Sequence, residues 1–432
     1  MAGTEYAEAL EFLYGLQRFG LRPGLETTRQ LVARAGEAHR GLRFIHVAGT
    51  NGKGSTCAFL ESVYRRAGYR VGLYTSPHLV SFRERIRLDG EAIPEAEVAA
   101  FVRESRGWLG ELAGAGAGEA TFFEWVTVLA LVWLGRRGCD VVVWETGMGG
   151  RWDATNVVTP LASVITNVGW DHMQWLGDTL AKIAGEKAGI IKPGVPALTA
   201  AREPEVLEVL RAKAGECGSP LEEVTEASEV FGVVGGWRLG LRGRHQVWNA
   251  ALALATVRRL QGVLPVPGEV VRPAMESAHW PGRFEVWQRG GGTVVLDGAH
   301  NRPAFEVLAT TLREEYPGRR YSLVVGLLAD KDAGAMMEHL LPEAGRVVVV
   351  PIHASRGGDP GELVSRCRGF LGGRRPGVVV ERADGLREAL DLCAGDGLVV
   401  VTGSLYLVGE ALGMLAGETS SERGLNDWGR RQ

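Results

Sequence analysis

The sequence predicts an α/β fold with two domains, each built on a parallel β-sheet. Short apolar runs rich in β-branched residues alternate with segments of helical period. A glycine-rich loop separates the first of these runs from a helix, and the alternation starts again after a glycine triplet at 290–292. Because 432 residues exceed what one hydrophobic core usually holds, we assign the two series to separate domains.

Four apolar runs predict the strands of the first domain: Phe44–Val47, Val71–Tyr74, Val141–Trp144 and Ser163–Thr166. Each run is followed by glycine or polar residues and then by a helical segment, which is the order of parallel strands joined by crossover helices. The run Val141–Trp144 is apolar throughout, and such strands are typical of sheets that are covered on both faces.

A second series of runs predicts a smaller, Rossmann-like α/β domain at the end of the chain. Its strands are predicted at Thr293–Leu296, Leu323–Val325, Val347–Val350, Val378–Val380 and Leu398–Val401. We divide the chain into domains at 1–285 and 286–432, just before the glycine triplet. The Gly/Ala stretch Ala113–Ala120 predicts a loop or a frayed helix end, and the polar tail from Gly417 predicts a mobile end.

Composition favours small-molecule chemistry in a reducing compartment. The formal charge is only -3 and no Lys/Arg block is present, so neither nucleic acid nor an anionic membrane is expected as a partner. The five cysteines form no CxxC pair, which argues against a disulfide framework and a zinc site. No export signal or membrane-spanning run is found, and we expect a cytoplasmic protein.

The glycine-rich loop follows the first predicted strand and precedes a helix, as phosphate-binding loops do. Its glycines let backbone N–H groups approach phosphate oxygens, Lys53 can neutralise phosphate charge, and the Ser55 hydroxyl can bind Mg²⁺. The spacing departs from the common Walker A pattern because Gly54 separates Lys53 from Ser55. The alternative is a glycine turn before an ordinary helix. We predict a P-loop NTPase-like domain in which ATP binds to Gly49, Thr50, Asn51, Gly52, Lys53, Gly54, Ser55 and Thr56.

Two further polar groups follow strands of the same predicted sheet. Glu145 ends the run Val141–Trp144 and is placed like a Walker B acid, so we predict it as a Mg²⁺ ligand. His172 follows the next strand and can bind a metal or a phosphate. A solvated charge at Glu145 and a structural role for His172 are the alternatives. A dinucleotide site at Gly147–Gly150 is disfavoured because no Gly-x-Gly-x-x-Gly pattern follows.

The segment His46–Ser55 resembles the P-loop of folylpolyglutamate synthases and dihydrofolate synthases, which belong to the Mur ligase superfamily. Thr75–Leu79 and Glu84–Ile86 are similar to the family's next block, and the resemblance extends along nearly the whole chain. It implies a ligase that uses ATP to join L-glutamate to dihydropteroate or to the γ-carboxylate of folates through an acyl phosphate. It also implies two Mg²⁺ ions bound by Ser55, Glu145 and His172, a Mur ligase-type ATP-binding domain, a C-terminal glutamate-ligase domain and a monomer.

The resemblance implies further roles in the first domain. Lys187 matches a catalytic lysine that the family carbamylates; a surface lysine paired with Glu186 is the alternative. Phe123 lies in a TxFE segment expected near the pterin, although simple core packing explains it equally well. Asp153 and Ala154 match positions that hold dihydropteroate in bifunctional members of the family.

In the second domain, Asp297-Gly298-Ala299-His300-Asn301 resembles the family's DxAHN motif. This resemblance implies that Asp297 and His300 are catalytic and lie between ATP and the incoming glutamate. The family continues with Pro, whereas Arg302 precedes Pro303 here, which questions the shape of the loop. Arg283 is expected to touch the ATP phosphates, with a linker salt bridge as the alternative, and Ser404 is expected to hold glutamate.

Two other activities remain open at this point. One is a Mur-type ligase that acts on a peptidoglycan nucleotide precursor, against which the early P-loop argues because it leaves no room for a preceding uridine-binding domain. The other is a P-loop NTPase without ligase activity. The residues do not decide between dihydropteroate and reduced folates as the acceptor, nor do they fix the length of a polyglutamate product.

Overall fold

The computed structural model describes residues 2–19, 24–110, 119–354, 356–372, 374–375 and 377–417. Most of the stretch predicted as a loop at 113–120 and nearly all of the tail predicted as mobile lie outside these residues. Two sheets, one of eight strands and one of six, organise the described part of the chain.

The first sheet has the strand order β4-β3-β2-β5-β1-β6-β7-β8. Its strands are β1 Phe44–Ala48, β2 Val71–Tyr74, β3 Ile86–Leu88, β4 Glu91–Ala92, β5 Val141–Glu145, β6 Ala162–Ile165, β7 Ala197–Thr199 and β8 Leu221–Glu223. The central strands are parallel, and β3 and β4 add an antiparallel edge. Every residue of β1 and β5 is buried, as expected for strands covered on both faces.

Helices cover both faces of this sheet. They are α1 Ala2–Gly15, α2 Glu26–Arg34, α3 Lys53–Arg66, α4 Glu95–Ser105, α5 Phe122–Arg137, α6 Met173–Leu176, α7 Leu180–Ala188, α8 Pro204–Glu216, α9 Glu229–Gly235, α10 His245–Arg259 and α11 Gly268–Ser277. One core packs α5 against the sheet, and a second core packs α3, α10 and α11 against the other face. Helix α5 begins at a capping box between Thr121 and Glu124 and is buried on all sides over most of its length.

The second sheet has the order β13-β12-β11-β14-β10-β9, in which only β9 is antiparallel to its neighbour. The strands are β9 Glu285–Arg289, β10 Gly292–Leu296, β11 Tyr321–Val325, β12 Ala344–Val349, β13 Val379–Arg382 and β14 Leu398–Thr402. The helices are α12 Arg302–Glu315, α13 Ala333–Leu340, α14 Pro360–Gly372, α15 Leu386–Leu392 and α16 Leu405–Ala416. Apolar clusters fill both faces of this sheet.

The predicted α/β class with parallel sheets is confirmed, and each predicted strand overlaps a strand of the structure. Five strands were not predicted, namely β3, β4, β7, β8 and β9. These strands lie at sheet edges or span only two to five residues, so their apolar pattern is weak. None of the helices in the described part of the chain is both long and apolar enough to cross a membrane.

Candidate active site

A cleft of about 440 Å³ lies between the two sheets. Segments that follow β1, β5 and β6 line it from the first sheet, and segments that follow β10, β11 and β14 line it from the second. Ligands of open α/β sheets bind at the carboxyl ends of the strands, and here two such ends share one cleft. The cleft can therefore bring groups from both domains to the same substrates.

The loop after β1 lines the cleft, and neighbouring side chains leave no room for a Cβ at two of its glycines. A Cβ at Gly49 would lie 1.8 Å from Thr166 Oγ1, and a Cβ at Gly52 would lie 2.4 Å from Asn249 Oδ1. Gly52 also has a φ of +83° and forms the N-cap of α3 without a side-chain cap. The N-terminal N–H groups of this 14-residue helix are thus available to an anion.

The segment after β6 holds the loop in place. Asn167 accepts hydrogen bonds from the N–H of Thr50 through its carbonyl and from the N–H of Asn51 through Oδ1, both at 2.9 Å. Thr166 Oγ1 donates to the Asn51 carbonyl at 2.7 Å. Gly54, the residue that departs from Walker A, packs against Trp280, whose Nε1 would lie 2.6 Å from an added Cβ. The absence of a side chain at position 54 therefore has a steric reason.

Lys53 and Ser55 make different contacts within the cleft. Lys53 Nζ donates to the carbonyls of Gly49 and Thr50 at 3.2 and 3.4 Å, which folds the ammonium group back over the loop. Ser55 is buried, and its Oγ accepts a hydrogen bond from Gln246 Nε2 at 3.3 Å. All the loop residues predicted to bind ATP line the cleft except Thr56, which is buried in α3.

Glu145 and Ser55 offer oxygen ligands to the same cleft. Glu145 is almost fully buried at the end of β5, and its Oε2 accepts the N–H of Ser76 at 3.1 Å. His172 also lines the cleft, with a side chain that is 39% exposed. Burial lowers the pKa of His172 below its usual range, although the negative charge of Asp171 acts to raise it.

The donor set suits magnesium better than a transition metal. Within the ranges that the structure describes, no three His, Cys, Asp or Glu side chains are arranged to hold a metal ion. Mg²⁺ commonly takes only one or two protein oxygens and completes its octahedron with water and phosphate oxygens. Ser55 and Glu145 fit that requirement, whereas the imidazole of His172 is a less typical ligand for this ion.

Lys187 projects from α7 into the buried end of the cleft. Its Nζ donates to the Gly49 carbonyl at 2.9 Å, and only 3% of the residue is exposed. Burial, aided by the charge of Lys53, lowers the pKa of Lys187 to about 7. The alternative of a surface lysine paired with Glu186 is wrong, because Glu186 lies 3.5 Å from Arg151 and Lys187 is inside.

The loop after β10 supplies Asp297 and His300. The carboxylate of Asp297 accepts the N–H groups of Phe284 and Ala299, both at 2.9 Å, and burial raises its pKa despite the nearby charge of Arg283. His300 Nδ1 lies 2.7 Å from the Gly298 carbonyl. Because a carbonyl only accepts, Nδ1 carries the hydrogen and Nε2 keeps its lone pair.

The departure at Arg302 leaves this loop intact. Arg302 is the first residue of α12 and pairs outward with Asp332 and Glu338 at 3.3 and 2.7 Å. Asn301 caps the helix by accepting the N–H of Ala304 at 3.0 Å. The exposed ion pairs therefore keep the arginine away from the cleft side of the motif.

Basic groups gather where the second domain meets the cleft. Arg283 donates to the Gly282 carbonyl at 3.1 Å and lines the cleft, and Lys331 and Arg356 line it as well. Burial and the charge of Lys331 lower the pKa of His300. Ser404 is the N-cap of α16, and its Oγ accepts the N–H of Tyr406 at 3.1 Å. These groups suit an anionic second substrate.

Three predicted acceptor-binding residues lie beside the cleft but do not line it. Phe123 is buried, and its Cζ would lie 2.5 Å from a Cβ at Gly147, which places its ring directly under the loop after β5. Asp153 is buried as well, and its carboxylate accepts the N–H groups of Met148 and Thr155. Ala154 is 5% exposed. These residues shape the loop, and their contact with an acceptor stays a prediction.

Several residues that support the site were missed by sequence reasoning. Gln246 and Asn249 lie three positions apart on α10, hydrogen bond to each other at 2.9 Å, and reach Ser55 and Gly52 respectively. Polar side chains at helical spacing within an otherwise apolar helix were the available signal. Asn167 carried a weaker signal as the polar residue at the end of a predicted strand, Lys331 lies in the segment Gly326–Asp332, which resembles a block of the family, and Arg356 carried no signal.

Two family descriptions match the chain. The Mur ligase middle domain covers residues 47–214, and the Mur ligase glutamate ligase domain covers residues 282–405. A dihydrofolate synthase/folylpolyglutamate synthase from Bacillus subtilis is 39% identical over 357 residues, which are 78% of this chain and 83% of the relative.

A longer relative and a solved structure extend the similarity. A probable bifunctional folylpolyglutamate synthase/dihydropteroate synthase from Haloferax volcanii is 40% identical over 94% of this chain, which spans 50% of that relative's length. The Mycobacterium tuberculosis folylpolyglutamate synthase complexed with ADP and AMPPCP superimposes with a TM-score of 0.85 at 30% identity, covering 97% of this chain and 100% of the other.

Proposed function

The chain belongs to the family of folylpolyglutamate synthases and dihydrofolate synthases within the Mur ligases, and we propose that it joins L-glutamate to a pteroate or folate carboxylate at the expense of ATP. The acceptors are dihydropteroate, the γ-carboxylate of folates, or both. One observation carries the proposal: the uncapped helix end and Glu145 of the first domain share one cleft with His300 and Ser404 of the second.

The first step transfers the γ-phosphoryl group of ATP to an oxygen of the acceptor carboxylate. The bond to the β-phosphate breaks, ADP leaves and an acyl phosphate forms. Lys53 at the loop and Arg283 at the domain junction are placed to neutralise the charge that spreads over the transferring group. Mg²⁺, held by Ser55 and Glu145 with His172 as a further ligand, would neutralise phosphate charge when bound.

The second step requires an uncharged glutamate amine. The amine attacks the acyl carbon, a tetrahedral intermediate forms, and phosphate leaves as the amide bond closes. His300 is suited to accept the proton because its Nε2 keeps a lone pair and burial keeps the ring neutral. Asp297, whose oxygens are bound by backbone N–H groups, orients the loop that carries His300.

The second domain supplies charges that match glutamate. Lys331 and Arg356 line the cleft and suit its two carboxylates, and Ser404 begins the helix on the same side. Phe123, Asp153 and Ala154 are proposed to support the pterin end of the acceptor through the loop that they shape. Closure of the two domains over both substrates would exclude water that otherwise hydrolyses the acyl phosphate.

Carbamylation of Lys187 is part of the proposal. The reaction needs a neutral amine, and Lys187 is buried beside the phosphate-binding loop, where its Nζ donates to the Gly49 carbonyl. Addition of CO₂ to the neutral Nζ, with release of one N–H proton to solvent, would form a carbamate whose anionic oxygens could bind a second Mg²⁺. We further propose a cytoplasmic monomer that acts on small molecules without nucleic acid or membrane partners.

The decisive experiment is phosphate release by the purified protein with MgATP and L-glutamate, with dihydropteroate or tetrahydrofolate as the acceptor. Release that requires glutamate and responds to both acceptors supports a bifunctional synthase, and a response to one assigns the acceptor. Release that ignores both acceptors and glutamate would overturn the proposal in favour of a simple NTPase. Stimulation only by a peptidoglycan nucleotide precursor would indicate the other kind of Mur ligase.

A further inference from the structure

A segment of the first domain inserts into the second domain at α16. Leu79 is 8% exposed and belongs to the apolar cluster formed by Val408, Leu412 and other residues of the second domain. The contact is close because α16 has a glycine at this point. A Cβ at Gly409 would lie 2.1 Å from the Leu79 carbonyl oxygen and 2.9 Å from its carbonyl carbon.

The inserted segment has little freedom to adjust. The carboxylate of Glu84 accepts three successive backbone N–H groups, from Leu79 at 2.8 Å, Val80 at 2.9 Å and Ser81 at 2.7 Å. The linker between the domains also packs against this side chain, since a Cβ at Gly282 would lie 3.1 Å from Leu79 Cδ1. A displacement at Leu79 is therefore passed along the backbone instead of being absorbed locally.

The other end of the segment reaches the site of phosphoryl transfer. The Ser76 N–H donates to Glu145 Oε2 at 3.1 Å, three residues before Leu79. Ser404, which lines the same cleft, is the N-cap of helix α16, against which Leu79 packs. One short segment thus connects the carboxylate of Glu145 with the helix that carries Ser404.

We propose that Leu79 and Gly409 are positioning residues for the ligase reaction: their contact fixes the Ser76 N–H, and with it the Glu145 carboxylate, when the second domain is seated. The inference rests on the proposed function, because it assigns Glu145 to phosphoryl transfer. Neither residue touches the reacting atoms. Their contact makes the geometry of one domain's catalytic carboxylate depend on the position of the other domain.

The test is Gly409→Ala with Gly413→Ala as its matched control. Both glycines lie in α16 and both are buried, but a Cβ at Gly413 would meet only Val80 Cγ1 at an ordinary 3.7 Å. The two substitutions gain the same helix propensity. We expect Gly409→Ala to lower kcat roughly 10²-fold, as misplacements of about 1 Å do. The dissociation constant of ADP should change less than about twofold, because the substituted residue does not line the cleft.

A second readout separates positioning from a general loss of structure. Hydrogen–deuterium exchange of the peptide that contains the Ser76 amide should accelerate in Gly409→Ala and stay at the wild-type rate in Gly413→Ala. If Gly409→Ala does not fold, Leu79→Ala takes its place, since it removes the inserted side chain and leaves the backbone of α16 unchanged. Its expected results are the same fall in kcat and the same faster exchange at Ser76.

Comparing the wild type with the variants separates a failure of the proposed function from a failure of this inference. A wild-type protein without glutamate-dependent phosphate release would remove the premise itself. An active wild type together with a Gly409→Ala variant of unchanged kcat and unchanged exchange at Ser76 would overturn this inference alone. Equal losses of kcat in Gly409→Ala and Gly413→Ala would also overturn it, because the contact with Leu79 would then not be the cause.

Discussion

Replacement of Lys53 by alanine tests the central assignment of the phosphate-binding loop. The ammonium group is held above the loop by the carbonyls of Gly49 and Thr50, so its charge is fixed before any substrate binds. A unit charge about 4 Å from a phosphoryl oxygen contributes roughly 4 kcal/mol at an effective dielectric constant of about 20. Since about 1.4 kcal/mol corresponds to a factor of ten, Lys53→Ala should lower kcat/KM about 10³-fold.

The assay is glutamate-dependent phosphate release over a range of ATP concentrations at saturating glutamate and acceptor, which gives kcat and kcat/KM separately. Lys182→Ala is the matched control, because Lys182 pairs with Asp178 on the surface at 2.7 Å and both side chains are mostly exposed. The control should retain at least about half of the wild-type rate, as expected for the loss of an exposed ion pair. Thermal unfolding by circular dichroism would establish that both variants are folded.

One result would refute the reasoning. If folded Lys53→Ala kept nearly wild-type values of both kcat and kcat/KM, the loop would not bind the transferred phosphoryl group. The uncapped N-terminus of α3 would then need another role. A large loss of kcat/KM with an unchanged kcat would instead show that Lys53 binds ATP equally well in the ground and transition states.

Three further predictions concern backbone fit, metal binding and pH. Gly52→Ala and Gly68→Ala both place a side chain at positive φ, of +83° and +90°, and each should lower the free energy of unfolding by roughly 1 to 2 kcal/mol. Only Gly52→Ala clashes with Asn249, so calorimetry should show loss of ADP affinity for that variant alone, and equal affinities would contradict the geometry. Glu145→Gln keeps its shape but loses its charge, and the Mg²⁺ concentration for half-maximal activity should rise about tenfold; an unchanged requirement would remove Glu145 from the metal site. Burial raises the pKa of Asp153 to about 6, so the folded state binds more protons than the unfolded state between about pH 4 and 6. The contribution of Asp153 to stability is present at low pH and falls by about 3 kcal/mol as the pH rises through 6; urea unfolding curves of the wild type and Asp153→Asn that shift equally with pH would contradict this.

The parts of the site that follow directly from strand order could be predicted from the sequence. Glu145 and the loop at Gly49–Ser55 come immediately after apolar strands, and parallel strands place their carboxyl ends at one edge. The same argument applies to Asp297 after β10. Local pattern and one topological rule were sufficient because each residue lies within a few positions of the strand that carries it.

The supporting contacts could not be predicted, because they join residues that are far apart in the chain. Gln246 lies 191 positions from Ser55, and the polar spacing on α10 does not indicate which distant segment its side chain contacts. Gly409 is similar: a glycine in a helix indicates low helix propensity, and only the packed structure shows that a carbonyl of Leu79 occupies the space. Such contacts depend on how the two domains meet.

The positive charge of the cleft adds to burial in lowering the pKa values of Lys187 and His300. The chain as a whole has a formal charge of -3, yet basic residues outnumber acidic ones along the cleft. The basic side chains are Lys53, Lys187, Arg202, Arg283, Lys331 and Arg356, and the acidic ones are Glu145, Asp171 and Asp297. A site for a nucleotide and two carboxylate substrates needs this excess of positive charge, which also raises the local concentration of anions. Before the substrates bind, the same excess makes a further buried cation unfavourable. The pKa values of Lys187 and His300 are both lowered, and neutral forms of these two groups are what carbamylation and proton acceptance require.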